Sequence, residues 1–483
     1  MSASASADPK AQLPRVMGFW DVLLFNVAAV LGPRWIAAAA HNGTSSITLW
    51  ILATVGFFLP TALVVVELSS RFPHEGGLYA WAKDAFGDFH GFVAGWTYWI
   101  YSVFYFPALL LASTAMSAYV VGPQGAELAV NRAFLLTGSF VLLGTAVILN
   151  IIGLNIGKWL QNAGGVGTYL PMVILLVIAF LVWLRHGSVA QFTWAELMPR
   201  WNWDTVNFWP QLAFAFTGLE MAAFMSEEIH NPHRTIPRAV FGSGFSIALM
   251  YIIGTVGVLV LIPAAQVDPK SGMFQAITSG SGLLRLGILG VLAALLVSVG
   301  NAGGIGTTVA ATARLPFVVG IDRYLPPIFG QLHPRWKTPY VSILVQAGFS
   351  AIVLLLIQIN QTVNGAYQIL VDATTAIYFI SLLYMYAAAI KLAYRKDRRA
   401  NPHAVLIPGG KPGVWLAGLL GFMVVLAGIV LSFIPPGEAA NKWLFEIELV
   451  ACIAGSVLFG LVLYYRGVRS KARDQIAAQF ASR

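Results

Sequence analysis

Apolar residues fall in runs of about twenty, and the runs recur from Gly18 to Tyr465. A helix needs roughly 20 residues to cross a hydrocarbon layer of ~30 Å. Turn residues and charges divide the chain into twelve predicted transmembrane spans: 18–43, 47–72, 90–122, 132–153, 156–185, 208–229, 238–262, 284–315, 339–358, 363–391, 412–435 and 441–466. They are called spans 1 to 12 in chain order. Residues 1–17 hold Lys10 and Arg15 without the apolar core and cleavage site of a secretory signal, so they read as a tail. Residues 467–483 read as a second tail. The expected architecture is all-α, with about twelve membrane helices in one domain over 18–466 and no soluble second domain.

Two spans break this pattern. In span 1, Gly32, Pro33 and Arg34 interrupt the run from Phe25 to Ala40. Pro33 cannot donate a backbone hydrogen bond and disfavours helix for Gly32. In span 6, Thr217, Gly218 and Glu220 lie inside the run from Phe214, and Gly costs about 1 kcal/mol relative to Ala in a helix. This second signal is the weaker. Spans 1 and 6 are five apart, so they cross in opposite directions. Paired interruptions of this kind mark a transporter binding site, because free N–H and C=O groups survive at that depth only along a cavity. A half-helix N-terminus suits a carboxylate and C-terminal carbonyls suit an ammonium group. A zwitterion satisfies both.

Composition agrees. Charged residues make up 10% and apolar ones 58%, where a soluble domain carries about 25% charged residues. The net charge of +9 would allow a nucleic-acid partner. Most Lys and Arg fall in alternate connections, however, which places both termini in the cytoplasm and accounts for the charge by topology. No nucleic-acid partner is expected; the lipid bilayer is. Cys452 is the sole cysteine and the histidines are scattered, so no disulfide, metal site or cofactor is expected.

Three stretches resemble the amino acid–polyamine–organocation (APC) permeases: Glu67 to Gly87, Ser226 to Ala239, and Asp322 to Val341. The resemblance implies a LeuT-like five-plus-five inverted repeat, with repeats over about 18–185 and 208–391, and two further helices over about 412–466. It also implies an amino acid or amine substrate. The family's first-helix Gly-Ser-Gly element falls on Gly32, Pro33 and Arg34, keeping only the first glycine; Arg34 brings five donors where an amide is lost. The gating aromatic falls on Phe214, with Phe216 nearby and Glu220 at a position acidic in some members. A span 3 position that is asparagine in arginine/agmatine antiporters falls on Phe106, after Tyr101 and Ser102, and such a pocket favours an apolar or aromatic substrate side chain. The lysine of some proton-coupled members falls on Thr168, with Lys158 nearer the cytoplasmic end. The segment Gly95 to Leu111 is similar to the polyamine-uptake branch, which keeps an amine substrate open.

An ionisable residue at membrane depth costs about 2.5–3.5 kcal/mol on insertion scales and is a functional candidate. Arg34, Glu220 and Asp372 are such residues, with Arg34 expected to pair with Asp372, Glu220 or both as a gate, and Glu220 an alternative proton site. Asn301 and Ser298 are candidates for oxygens facing the first break, although Ser, Asn and Gly also serve helix packing. Glu67, Arg71, Glu227, Glu228 and Arg234 are candidates for a cytoplasmic gate. The expected substrate set is Val30, Leu31, Gly32, Arg34, Tyr101, Ser102, Phe106, Phe214, Phe216, Thr217 and Gly218. These readings converge on secondary active transport of an amino acid by alternating access, as proton symport or exchange. Polyamine transport and a non-transporting nutrient receptor are the alternatives. No nucleophile–base pair or metal motif suggests an enzyme.

Overall fold

The computed structural model describes residues 13–199, 203–269, 271–357, 363–395, 402, 404–434 and 442–481. Among them helices make up the fold, and the sole extended pairing is an isolated bridge between Met17 and Ile229. Among the described residues ten helical stretches, from Phe19–His41 to Lys442–Arg473, are long and apolar enough to cross a membrane. The two remaining expected spans are present in other forms. Span 6 is split into the helix Trp203–Ala215 and the 3-10 turns of Leu219–Glu228, and span 9 is the shorter helix Tyr340–Ile357.

Burial sorts the helices by role. The first half of span 1 hides Phe25, Asn26 and Val27 completely, and the second half of span 6 hides Leu219, Glu220, Ala222 and Phe224. Span 12 is the opposite case: only 17% of its apolar window is buried, leaving Trp443, Ile447 and Leu458 exposed. An apolar surface of that extent suits lipid, not water. Spans 5 and 8 pack backbone to backbone. A Cβ added to Gly164 would lie 2.5 Å from Gly303 Cα, so only glycine permits the approach. The glycine cluster of span 8 is thus a packing surface.

Candidate substrate site at two broken helices

Span 1 is two helices, Phe19–Val30 and Pro33–His41, joined by extended backbone at Leu31 and Gly32. Pro33 opens the second helix at its first position, where a missing N–H costs nothing. In span 6 the helix ends at Ala215, and Gly218 takes a φ of 115° before the chain resumes as 3-10 turns. A side chain is strained at that angle, and a Cβ there would also stand 3.2 Å from Val30 Cγ2. The two breaks therefore touch, at one depth.

A single hydroxyl ties them. Tyr251 on span 7 accepts Gly32 N–H at 3.1 Å, and its own proton is directed at Val30 O at 2.6 Å and Ala215 O at 3.0 Å. Its ring stacks on Trp50 with centroids 4.5 Å apart and meets Phe216 edge-on at 5.2 Å. Phe216 is fully buried here, as support for the break.

An open-mouthed cavity lies at the first break. Val30, Leu31, Gly32, Arg34, Thr168 and Asn301 line it, joined by Trp35, Tyr105, Ser113, Met116 and Thr308. Arg34 is the one charged side chain of that lining. Its Nη2 donates to Tyr105 Oη at 3.0 Å, and its guanidinium lies 4.5 Å from the Trp35 ring centroid. Phe214 meets Trp35 and Tyr105 edge-on, both at 5.9 Å, which places it beside this aromatic cluster. Thr168 donates to Gly164 O at 2.9 Å, Asn301 donates to Met116 Sδ at 3.4 Å, and Ser298 is bonded to Ala294 O at 2.7 Å.

Span 3 presents Tyr105, Leu109, Ala112, Ser113 and Met116 to the cavity, residues at helical spacing on one face. Tyr101 lies on that face a turn earlier, buried against Tyr98, Tyr105 and Tyr378. Ser102 is bonded to Trp99 O at 2.6 Å, and Phe106 packs with Leu110, Leu143 and Ile305. The helical period from Tyr101 was the signal that would have found Tyr105.

Glu220 sits below the second break in a tyrosine cage. Tyr98 Oη donates to its Oε1 at 2.6 Å, Tyr378 Oη donates to the same oxygen, and Gly218 N–H reaches Oε2 at 3.3 Å. The carboxylate so joins spans 3, 6 and 10. Thr217 donates to Phe214 O at 2.6 Å, and Asp372 is half-buried on span 10.

At the end richest in Lys and Arg, the three stretches that resemble the permeases meet. Lys83 pairs with Asp322 at 2.6 Å, and Glu75 takes Glu227 N–H at 3.1 Å. Glu67 and Arg71 pair with each other at 3.1 Å and also hold backbone beyond span 10, at Ile407 N and Leu392 O. Glu227 lies 3.6 Å from Arg15, and Arg234 is exposed. The closure between spans 6 and 8 falls to Glu228, whose two oxygens are forked by Arg314 at 2.6 and 2.9 Å, both side chains buried. Arg314 and Glu75 escaped the sequence reading.

Two helices broken at one depth beside a cavity define a LeuT-type transporter fold, and the solved structures agree. MhsT, crystallised with L-phenylalanine, superposes with a TM-score of 0.65 at 12% identity, over 85% of this chain and 98% of its own. The sequence model of the amino acid permease family matches residues 17–459, and this chain belongs to that family. An uncharacterised transporter of Legionella pneumophila is 28% identical over 92% of this chain and 95% of its own length. The serine/threonine exchanger SteT of Bacillus subtilis is 24% identical over 90% and 92%. A probable agmatine/putrescine antiporter of Lactococcus lactis is 25% identical over 53% and 54%.

Proposed function

We propose that this protein moves an amino acid across the membrane by alternating access, with both termini cytoplasmic. The observation that carries the reading is the cavity at the first break, whose one charged lining side chain is the cation Arg34. A carboxylate answers both that guanidinium and the N-terminus of the helix Pro33–His41. Ala28 to Leu31, at the end of the preceding half-helix, line the same cavity, and the negative end of that helix dipole suits the α-amino group. Trp35, Tyr105 and Phe214 close over an apolar or aromatic substrate side chain, and Arg34 acts as part of that lid. A polyamine carries no carboxylate and would meet Arg34 as a like charge, which disfavours the amine reading.

Exchange or proton symport would supply the driving force, with Glu220 or a second carboxyl as the proton site. A thermal-shift screen tests the substrate class by comparing each amino acid with its decarboxylated amine and its methyl ester. Stabilisation by amino acids but by neither derivative is the expected result. Stabilisation by the amines instead would overturn the reading.

A further inference from the structure

Where the loop after span 2 meets span 6, Glu75 is only 1% exposed. The contact is close: Gly76 N–H donates to Phe224 O at 3.4 Å, and a Cβ at Gly77 would stand 2.8 Å from the Phe224 ring. One carboxylate oxygen of Glu75, Oε2, takes Glu227 N–H at 3.1 Å. The other, Oε1, is buried and has no hydrogen-bond partner among the described residues.

The surrounding charges do not balance. Glu227 and Glu228 face Glu75 from span 6, and Arg314 faces it from span 8. Arg314 spends its fork on Glu228 and gives Nη1 to Ala310 O. On the side of Glu75 itself, Arg71 is turned to Glu67 and to Leu392 O, each at 3.1 Å. From the N-terminal segment, Arg15 reaches Glu227 at 3.6 Å. Two buried carboxylates thus share one guanidinium that is committed to the other. A buried, half-bonded carboxylate is costly, and a proton removes the cost.

We propose that Glu75 is a proton-binding site of the inner gate: the closed seam holds the carboxyl protonated, and parting of span 6 from this loop hydrates it and releases the proton to the cytoplasm. This rests on the alternating-access reading above. Burial pushes the Glu75 carboxyl well above the usual carboxyl range and the Glu228 carboxylate adds to the shift, while Arg314 and the Glu227 N–H oppose it. The sign follows. Closure gains its full stabilisation below the hydrated carboxyl value of about 4.3, and loses it as pH rises through the closed-state value. Between the two, each pH unit moves the closed-to-open ratio by up to about tenfold.

Spin labels at the exposed positions His230 and Arg335, in the full chain with Cys452→Ala, would report the gate in proteoliposomes from about pH 5 to pH 8. The expected result is one short distance at low pH and a growing longer population as pH rises. Glu75→Gln holds the short distance throughout and lacks one protonated-carboxyl infrared band that the parent shows at low pH. Glu75→Asp keeps a carboxyl and keeps the titration, which separates the proton from packing. A Glu75→Gln protein that opens with pH as the parent does overturns the assignment, and so does a parent whose distances ignore pH while it transports. A chain that titrates in this way but carries no amino acid supports Glu75 and overturns the transport reading instead.

Discussion

Replacing Tyr251 by Phe removes one oxygen and leaves the ring on Trp50 in place, so the variant isolates the tie between the two breaks. The lost hydroxyl touches Gly32 N, Val30 O and Ala215 O at 3.1, 2.6 and 3.0 Å. At about 1 kcal/mol net for each contact the loss is about 3 kcal/mol, and a buried donor left unpaired costs about 1–3 kcal/mol by itself. Gly32 lines the cavity, so water there can take over its N–H and bring the total to about 2 kcal/mol. Because the same backbone is proposed to grip the substrate, at least half should appear in binding. About 1.4 kcal/mol corresponds to tenfold. Half of about 2 kcal/mol is about 1 kcal/mol, so equilibrium binding of the amino acid identified by thermal shift should weaken at least about fivefold in Tyr251→Phe, with a lower melting temperature. Binding and melting both unchanged within error would refute the claim that this hydroxyl holds the site together.

Arg34→Ala should abolish most amino acid uptake while the protein still reaches the membrane; normal kinetics in both Arg34→Ala and Asp372→Asn would end the gating role of the pair. Glu220→Gln places an amide where two tyrosine hydroxyls and Gly218 N–H converge, and uptake should fall and lose part of its pH dependence. Full pH dependence in that variant would remove Glu220 as a proton site. Arg314→Met leaves Glu228 buried without its cation and should destabilise the protein by about 3–5 kcal/mol, while pairing it with Glu228→Met should restore most of the melting temperature. A double variant no better than the single one would contradict the balance argued for that ion pair.

The helices and the first break were legible because their causes are local. Twenty apolar residues cross a bilayer wherever they occur, and Pro33 withholds its N–H in any fold. Gly218 was a weaker sign, since glycine is also used for packing; its φ of 115° is a consequence of the turn it makes. Tyr251 was invisible for the opposite reason. One tyrosine inside the span 7 run says nothing until the fold brings two backbones to its hydroxyl. On span 3 the family resemblance points to Phe106, one position round the helix from Tyr105, and a step of about 100° separates a cavity wall from a helix interface. A single-residue step likewise separates Glu227, part-exposed beside Arg15, from Glu228, buried on Arg314. Glu75 lay within a stretch read for its resemblance, and its burial depends on spans 6 and 8, far away in sequence.

Counterflow in proteoliposomes holding the purified full chain tests the mechanism itself. With unlabelled amino acid inside, labelled amino acid outside should accumulate above its equilibrium level and be competed by other amino acids, but not by putrescine. Saturable binding without any such flux, or flux driven by putrescine alone, would contradict an amino acid carrier built on two broken helices.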